Sequence, residues 1–333
     1  MQNIGWLAVV SVDQIDQYSI SNEFLRVSAI NFGARTTQVL MNAGSRGWLP
    51  MIQSLPEVTS YLNDRQYMGA LVGRLAGRVR NGQYHDGRKW IKLPKNAGNH
   101  HLHGGHSGFA QVLWRVSRRS DAIEFSHVSK DGDNGYPGNL EVTSTITLRG
   151  RDLIYRTTAR CDKLTPFNPT QHNYYNLGAV PTIYAHKLSI EADTILELDR
   201  QRLPTGRTIA VEGSDFDFRK RKSLTVIQTQ KHPQIESFNG LDHYYVLNHH
   251  NDSNTNQQAV AELCTHAYRM QVFTNQPGLQ VYTGNALSPA HQGICIEAQH
   301  FPDSPNHSHF PSVFLEPGHT GLNETRYRFL EAV

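Results

Sequence analysis

The chain has 333 residues, with 32 Lys+Arg against 29 Asp+Glu and a net charge of +3. That length supports a large core, and the lack of any block of like charge argues against nucleic-acid or polybasic membrane binding. Its three cysteines, Cys161, Cys264 and Cys295, are too scattered for a disulfide framework or a zinc ribbon. They read as buried thiols in a reducing compartment.

The opening MQNIGWLAVVSVDQ has a short apolar run with no Lys or Arg ahead of it and an Asp soon after. It suits neither a signal peptide nor a membrane span, and a soluble, cytoplasmic protein is expected. Period-two alternation then predicts strands at residues 24–30, 111–118, 122–128, 141–148, 153–160, 187–191, 268–274 and 279–283. These segments are rich in Val, Ile, Thr and aromatics. Turn chemistry separates them, as in DGDNGYPG at 131–138 and RGRD at 149–152. Helical patterns are confined to short turns near 58–62 and 223–230. Residues 248–258 (NHHNDSNTNQQ) read as a polar surface loop, and neither a linker nor a fixed repeat divides the chain. The pattern predicts an all-β sandwich or barrel-like body with few short helices, as one domain over 1–333.

Polar clusters flanked by turns and aromatics mark candidate ligand sites. VGRLAGRVRNG at 72–82 lacks the Lys-Ser/Thr of a phosphate loop, so Arg78 reads as a fork of donors for ligand oxygens or as half of a structural ion pair. NHHLHGGHSGF at 99–109 carries His100, His101, His103 and His106, but no metal-ligand spacing completes a site. Its Gly104-Gly105 implies a sharp bend after His103. In NPTQHNYYNLG, His172 sits amid hydrogen-bonding residues. In NGLDHYYVL, Asp242 enters an aromatic-rich strand, either as a functional carboxylate or as a turn residue bonding its own backbone. GICIEAQHFPDSPN at 293–306 places Glu297 in an apolar run at an expected strand end. Burial there raises a carboxyl toward the range of a general base; the plainer alternative is a partly exposed Glu paired with an Arg.

In this order, the segments resemble the aldose 1-epimerase (galactose mutarotase) family. The resemblance runs through YMGALVGRLAGRV, HLHGGHSGFAQVLW, DGDNGYPGNLEV, NPTQHNYYNLG, LPTGRTIAVEGSDFDFRK, NGLDHYYVL, QPGLQVYTGN and GICIEAQHFPDSPNHSHFPSVFLEPG. It implies a large antiparallel β-supersandwich, galactose mutarotase-like. Residue by residue, it implies that Glu297 is the catalytic base and His172 the general acid. Arg78 and His103 would bind and polarise the sugar, Asp242 would receive hydroxyl hydrogen bonds, and Gln299 and Asn173 would be neighbours of the site. It implies a free aldose such as galactose or glucose as substrate, and no cofactor or metal. Oligomeric state, monomer or homodimer, is left open. Two departures stand at the cleft rim: Gly77 where many members have Asn, and His100 where Asn is common.

Mutarotation removes a proton from the anomeric O1 hydroxyl and delivers one to ring oxygen O5. A Glu/His pair supplies both roles near neutral pH. Aromatics such as Tyr174, Tyr175, Tyr244 and Phe301 are candidate stacking walls. Two rival readings are a glycoside hydrolase using Asp242 and Glu297 as its carboxylates and a non-catalytic carbohydrate-binding domain. The basic run RKRK at 219–222 reads as a solvated turn.

Overall fold

Alternation of residue type becomes alternation of burial. In the antiparallel strands Leu140–Arg149, Asp152–Cys161 and Gly321–Glu331, nearly every second side chain is buried. This is the signature of a sheet with one face on the core and one on water. The computed structural model describes residues 10–229, 232–248 and 258–332; most of the 248–258 loop and the opening nine residues lie outside these. No helix among the described residues is long and apolar enough to cross a membrane.

The largest sheet has nine strands. In spatial order they are Arg115–Arg118, Ala122–Ser129, Leu140–Arg149, Asp152–Cys161, Gly321–Glu331, Tyr268–Thr274, Ala261–Cys264, Lys187–Ile190 and Lys222–Ser223. The segments expected at 122–128, 141–148, 153–160, 187–191 and 268–274 all fall in it. The one expected at 111–118 is strand only from Arg115. Its first part follows a 3-10 turn, Phe109–Gln111, where the Trp114 indole N–H donates to the Phe109 carbonyl (3.0 Å) and folds the chain back.

A four-stranded sheet runs Gln17–Ser21, Leu25–Ile30, Arg35–Asn42 and Trp48–Pro50. A five-stranded sheet runs Pro204–Ala210, Thr194–Leu198, Asp242–Val246, Gly278–Tyr282 and Cys295–Gln299. One apolar cluster joins all three sheets, through Val27 and Val39 from the first, Ile195 and Ile296 from the last, and Phe125, Ile146 and Tyr327 from the largest. Helix is confined to short pieces such as Val58–Asn63, Val226–Thr229 and Pro233–Phe238, the last not foreseen in the sequence. The fold is mostly β, as expected.

The five-stranded sheet positions the site. Its register sets Tyr244 opposite Gln280 and Gln280 opposite Glu297. The next row is Asp242, Tyr282 and Cys295. Opposed residues in an antiparallel sheet share a face, and so do residues two apart on one strand. Asp242, Gln280, Tyr282, Cys295, Glu297 and Gln299 therefore stand on one face. The opposite face, with Tyr245, Leu279, Val281, Ile296 and Ala298, is apolar apart from the buried His243 and joins the core.

Candidate active site

Glu297 sits at the middle of Cys295–Gln299, all five residues of which are buried, rather than at the expected strand end. Only 2 % of it is exposed, and its partner is a histidine rather than an arginine: Oε1 lies 3.7 Å from His172 Nε2. Its other oxygen, Oε2, is buried with no hydrogen-bond partner, as is Oε1 of Gln299 two residues on. Desolvation, reinforced by the negative charge of Asp242, pushes the Glu297 carboxyl well above the usual carboxylate range.

His172 ends the short strand Thr170–His172, which pairs with Ala70–Val72 and is tied to the Glu297 strand by Thr170 Oγ1 donating to the Ala298 carbonyl (3.0 Å). The ring is 5 % exposed, and burial lowers its pKa to about 4. Its two nitrogens face different partners: Nε2 looks toward Glu297, and Nδ1 lies 3.5 Å from the Cys295 sulfur. Burial holds the Cys295 thiol well above its ordinary range, so a neutral S–H group stands beside Nδ1. His172, Cys295 and Glu297 are also the closest approach to a metal-ligand set among the described residues, their candidate atoms lying within 4.8 Å of one another.

The facing wall is the pairing of Arg78–Val79 with His101–Leu102. The chain then turns at His103, which takes φ +50°, a left-handed conformation uncommon for a residue with a side chain. Gly104 makes this turn possible: a Cβ there would lie 1.7 Å from the Gly73 carbonyl oxygen. His103 Nδ1 accepts the Gly77 N–H (3.3 Å), which leaves its ring proton on Nε2. Desolvation, then repulsion from His172 and Arg78, pushes the His103 pKa well below its ordinary value. Its ring packs 5.4 Å from that of His172 and 4.7 Å from that of Tyr67.

Asp242 opens its strand and is mostly buried. Oδ1 accepts from Gln280 Nε2 (2.8 Å), and Oδ2 lies 3.8 Å from Arg78 and 3.6 Å from Arg202. It is thus a cross-strand carboxylate held among cations, not a turn residue bonding its own backbone.

These groups meet in one cleft of about 180 Å³. Glu297, His172, Arg78, His103, Asp242 and Gln299 all line it. Asn173 does not; its amide donates to the hydroxyls of Tyr155 (2.9 Å) and Tyr175 (3.3 Å) behind His172. The departures divide: Gly77 lines the cleft, whereas His100 lies outside it. Of the candidate aromatic walls only Tyr174 is lining, joined by Tyr67 and Tyr282, which the sequence did not single out. Tyr175, Tyr244 and Phe301 belong to the packed interior. Gln280, Arg65 and Arg202 were also missed; the period-two register places Gln280 beside Glu297, but only once strand pairing is known. His101 bonds the Pro94 carbonyl and the Tyr136 hydroxyl, a structural role. The basic run at 219–222 is engaged elsewhere, Arg219 by Asp217 and Arg221 by Glu262.

Residues 16–328 match the family described as Aldose 1-epimerase. The chain belongs to the aldose 1-epimerase family. It is 35 % identical to the galactose mutarotase of Sus scrofa, with 95 % of this chain and 94 % of that protein covered. It is 33 % identical to the aldose 1-epimerase of Escherichia coli (strain K12), covering 81 % and 82 %. Among solved structures, the galactose 1-epimerase of Lactobacillus acidophilus NCFM is similar with a TM-score of 0.85 at 32 % identity, covering 96 % of this chain and 98 % of that one. Membership makes this protein an epimerase acting on carbohydrates, with the fold that the strand pattern and the resemblance led us to expect.

Proposed function

We propose that the cleft interconverts the α and β anomers of an aldose by opening and reclosing its ring, with Glu297 at the anomeric O1 and His172 at ring oxygen O5. The observation that carries the assignment is the buried Glu297–His172 pair, 3.7 Å apart, with Glu297 Oε2 lacking a protein partner. The two groups are too far apart to satisfy each other and close enough to face adjacent oxygens of one sugar.

One proton shared by the pair serves both directions of the reaction. Ring opening needs an ionised Glu297 to take the O1 proton and a protonated His172 to give one to O5. That step leaves a protonated Glu297 and a neutral His172 over the open-chain aldehyde. After rotation about C1–C2, His172 takes the proton back from the O5 hydroxyl as O5 attacks C1, and Glu297 returns its proton to O1, closing the ring on the other face. Burial alone favours the second, uncharged arrangement, since it raises Glu297 and lowers His172. Hydrogen bonds from the bound sugar would offset the cost of the first. General acid–base groups of this kind each contribute about 10²–10⁴-fold.

Arg78 and the Nε2–H of His103 donate to sugar oxygens, Gln299 Oε1 accepts from a hydroxyl, and Asp242 anchors ring hydroxyls. Asp242 is held by two arginines and Gln280, which suits an anchor better than the second carboxylate of a hydrolase. The apolar cluster common to the three main sheets supports a single structural unit, and the unbridged cysteines support a cytoplasmic setting.

Polarimetry on freshly dissolved α-galactose and α-glucose tests the proposal. The protein should hasten the approach to the equilibrium rotation without releasing reducing sugar from a glycoside. A Glu297→Gln protein that equilibrates the anomers at the unaltered rate would falsify the assignment.

A further inference from the structure

The cleft carries more positive charge than a neutral sugar requires. Arg65, Arg78 and Arg202 all line it, against the carboxylates of Asp242 and Glu297. Glu297 is buried and strongly biased toward its protonated form, so Asp242 is the main anionic counterweight. Its contacts to Arg78 and Arg202, at 3.8 and 3.6 Å, exceed hydrogen-bond distance. Among the described residues, neither guanidinium donates a hydrogen bond, and Arg65 at the exposed mouth has neither an ion pair nor a hydrogen bond. Arg202 stacks its guanidinium 5.0 Å over the Phe238 ring.

Guanidinium groups present forked N–H donors that match carboxylate and phosphate oxygens. Such groups held in a cleft with low-dielectric walls focus a positive field on whatever enters. At Gly77, beside Arg78 in the lining, φ is +75° and a Cβ would crowd Pro302 at 3.0 Å, so the position suits glycine and presents no side chain to the cleft.

The geometry points to an aldose bearing a negative charge remote from its anomeric carbon as the preferred substrate, with Arg65 and Arg202 receiving that charge. This deepens the mutarotase proposal and rests on it. The anion is a carboxylate or a phosphate, both of which the guanidinium fork accepts. The reaction itself is unchanged: Glu297 and His172 act on O1 and O5, and the remote anion takes no part in bond making.

The test measures anomer exchange by NMR magnetisation transfer, with spontaneous exchange subtracted, for galactose, galacturonate and galactose 6-phosphate. At least one anionic sugar should exceed galactose in kcat/KM by about tenfold at low salt, with the advantage shrinking as ionic strength rises. Which anionic sugar it is separates carboxylate from phosphate recognition. Arg65→Glu should lower the anionic-to-neutral ratio of kcat/KM by about tenfold, mainly through KM. Arg65→Lys should restore most of it. Faster turnover of galactose than of both anionic sugars would overturn the proposal while leaving the mutarotase reading intact. A ratio unmoved by Arg65→Glu would also overturn it. Failure to accelerate any of the three sugars would remove both.

Discussion

Two buried polar clusters in this molecule differ in one respect that separates structure from function. Around Arg74, 1 % exposed, every guanidinium nitrogen is satisfied, by Ser129, Thr165 and the carbonyls of Lys130, Pro137 and Gly138. Around Glu297, equally buried, acceptors are left over on Glu297 and on Gln299. Both clusters carry the cost of removing polar groups from water. The first recovers it within the protein, whereas the second holds hydrogen-bonding capacity in reserve for a ligand. Arg74 and Arg78 make the same contrast four residues apart in one motif, one enclosed by carbonyls and one loosely placed beside Asp242 in the cleft.

Exchanging the two roles by mutation has the largest expected effects. Glu297→Gln should cut kcat by about 10²–10⁴-fold. It should also stabilise the fold at neutral pH, by about 0.5–2 kcal/mol. The sign follows from the raised pKa of Glu297. Protonation of that carboxyl adds stability that is fully present below its unfolded value, near 4.5, and is lost as pH rises toward the folded value. Gln does not ionise and escapes that loss, so its advantage should grow between pH 5 and pH 8 in thermal denaturation. Arg74→Leu should do the reverse. It strands several buried carbonyls and should cost about 3–5 kcal/mol, while kcat per folded molecule is retained. A less stable Glu297→Gln protein would break the comparison.

The next effect is on binding and on the pH profile. Asp242→Asn removes the negative charge that helps hold Glu297 up, and weakens the anchor for sugar hydroxyls. KM should rise about 10- to 100-fold, the range expected when a charge-assisted hydrogen bond is lost. The wild-type profile should be bell-shaped, because the active pair holds one proton. Its acid limb lies near the depressed His172 value of about 4, and its alkaline limb is set by the raised Glu297 carboxyl. In Asp242→Asn the alkaline limb should move to lower pH. An unmoved limb would show that Asp242 acts on the sugar alone.

The sequence disclosed the class of fold and most of the residues that meet in the cleft because those signals are local. Alternation marked most of the long strands of the nine-stranded sheet, polar groups amid turn residues marked His172 and Asp242, and a lone carboxylate in an apolar run marked Glu297. What it concealed depends on pairing. Arg35–Asn42 is buried on both faces over much of its length and shows no clean period. Gly321–Glu331 alternates, but its buried face includes Asn323 and Thr325, which do not read as core. Asn173 follows His172 in sequence yet lies just past the strand end and donates to the hydroxyls of Tyr155 and Tyr175 instead of entering the cleft. Arg202 reaches Asp242 from a loop forty residues away in sequence, a contact that no local pattern encodes.

A smaller effect is expected at Cys295. Cys295→Ala removes the partner of His172 Nδ1 while leaving Nε2 and Glu297 in place. A several-fold fall in kcat with KM nearly unchanged is expected, since a weak thiol hydrogen bond orients the ring without touching substrate. Cys295→Ser, which keeps a donor, should recover part of the loss; equal activity in Ala and Ser variants would deny Cys295 an orienting role.

The smallest effect belongs to His100, one of the two departures from the family pattern. Its Nδ1 accepts the Asn81 N–H (3.1 Å) and its Nε2 meets Gln201 Oε1 (3.0 Å), so it ties the Arg78 wall to the loop that carries Arg202. His100→Ala should cost about 1 kcal/mol for the lost hydrogen bonds and change kcat for galactose by less than about twofold. Any functional loss should appear in the binding of charged sugars, because the tie reaches the loop that carries Arg202 through Gln201. A fall in kcat for neutral sugar larger than the fall in stability would place His100 with the reserve cluster around Glu297 rather than with the satisfied one around Arg74.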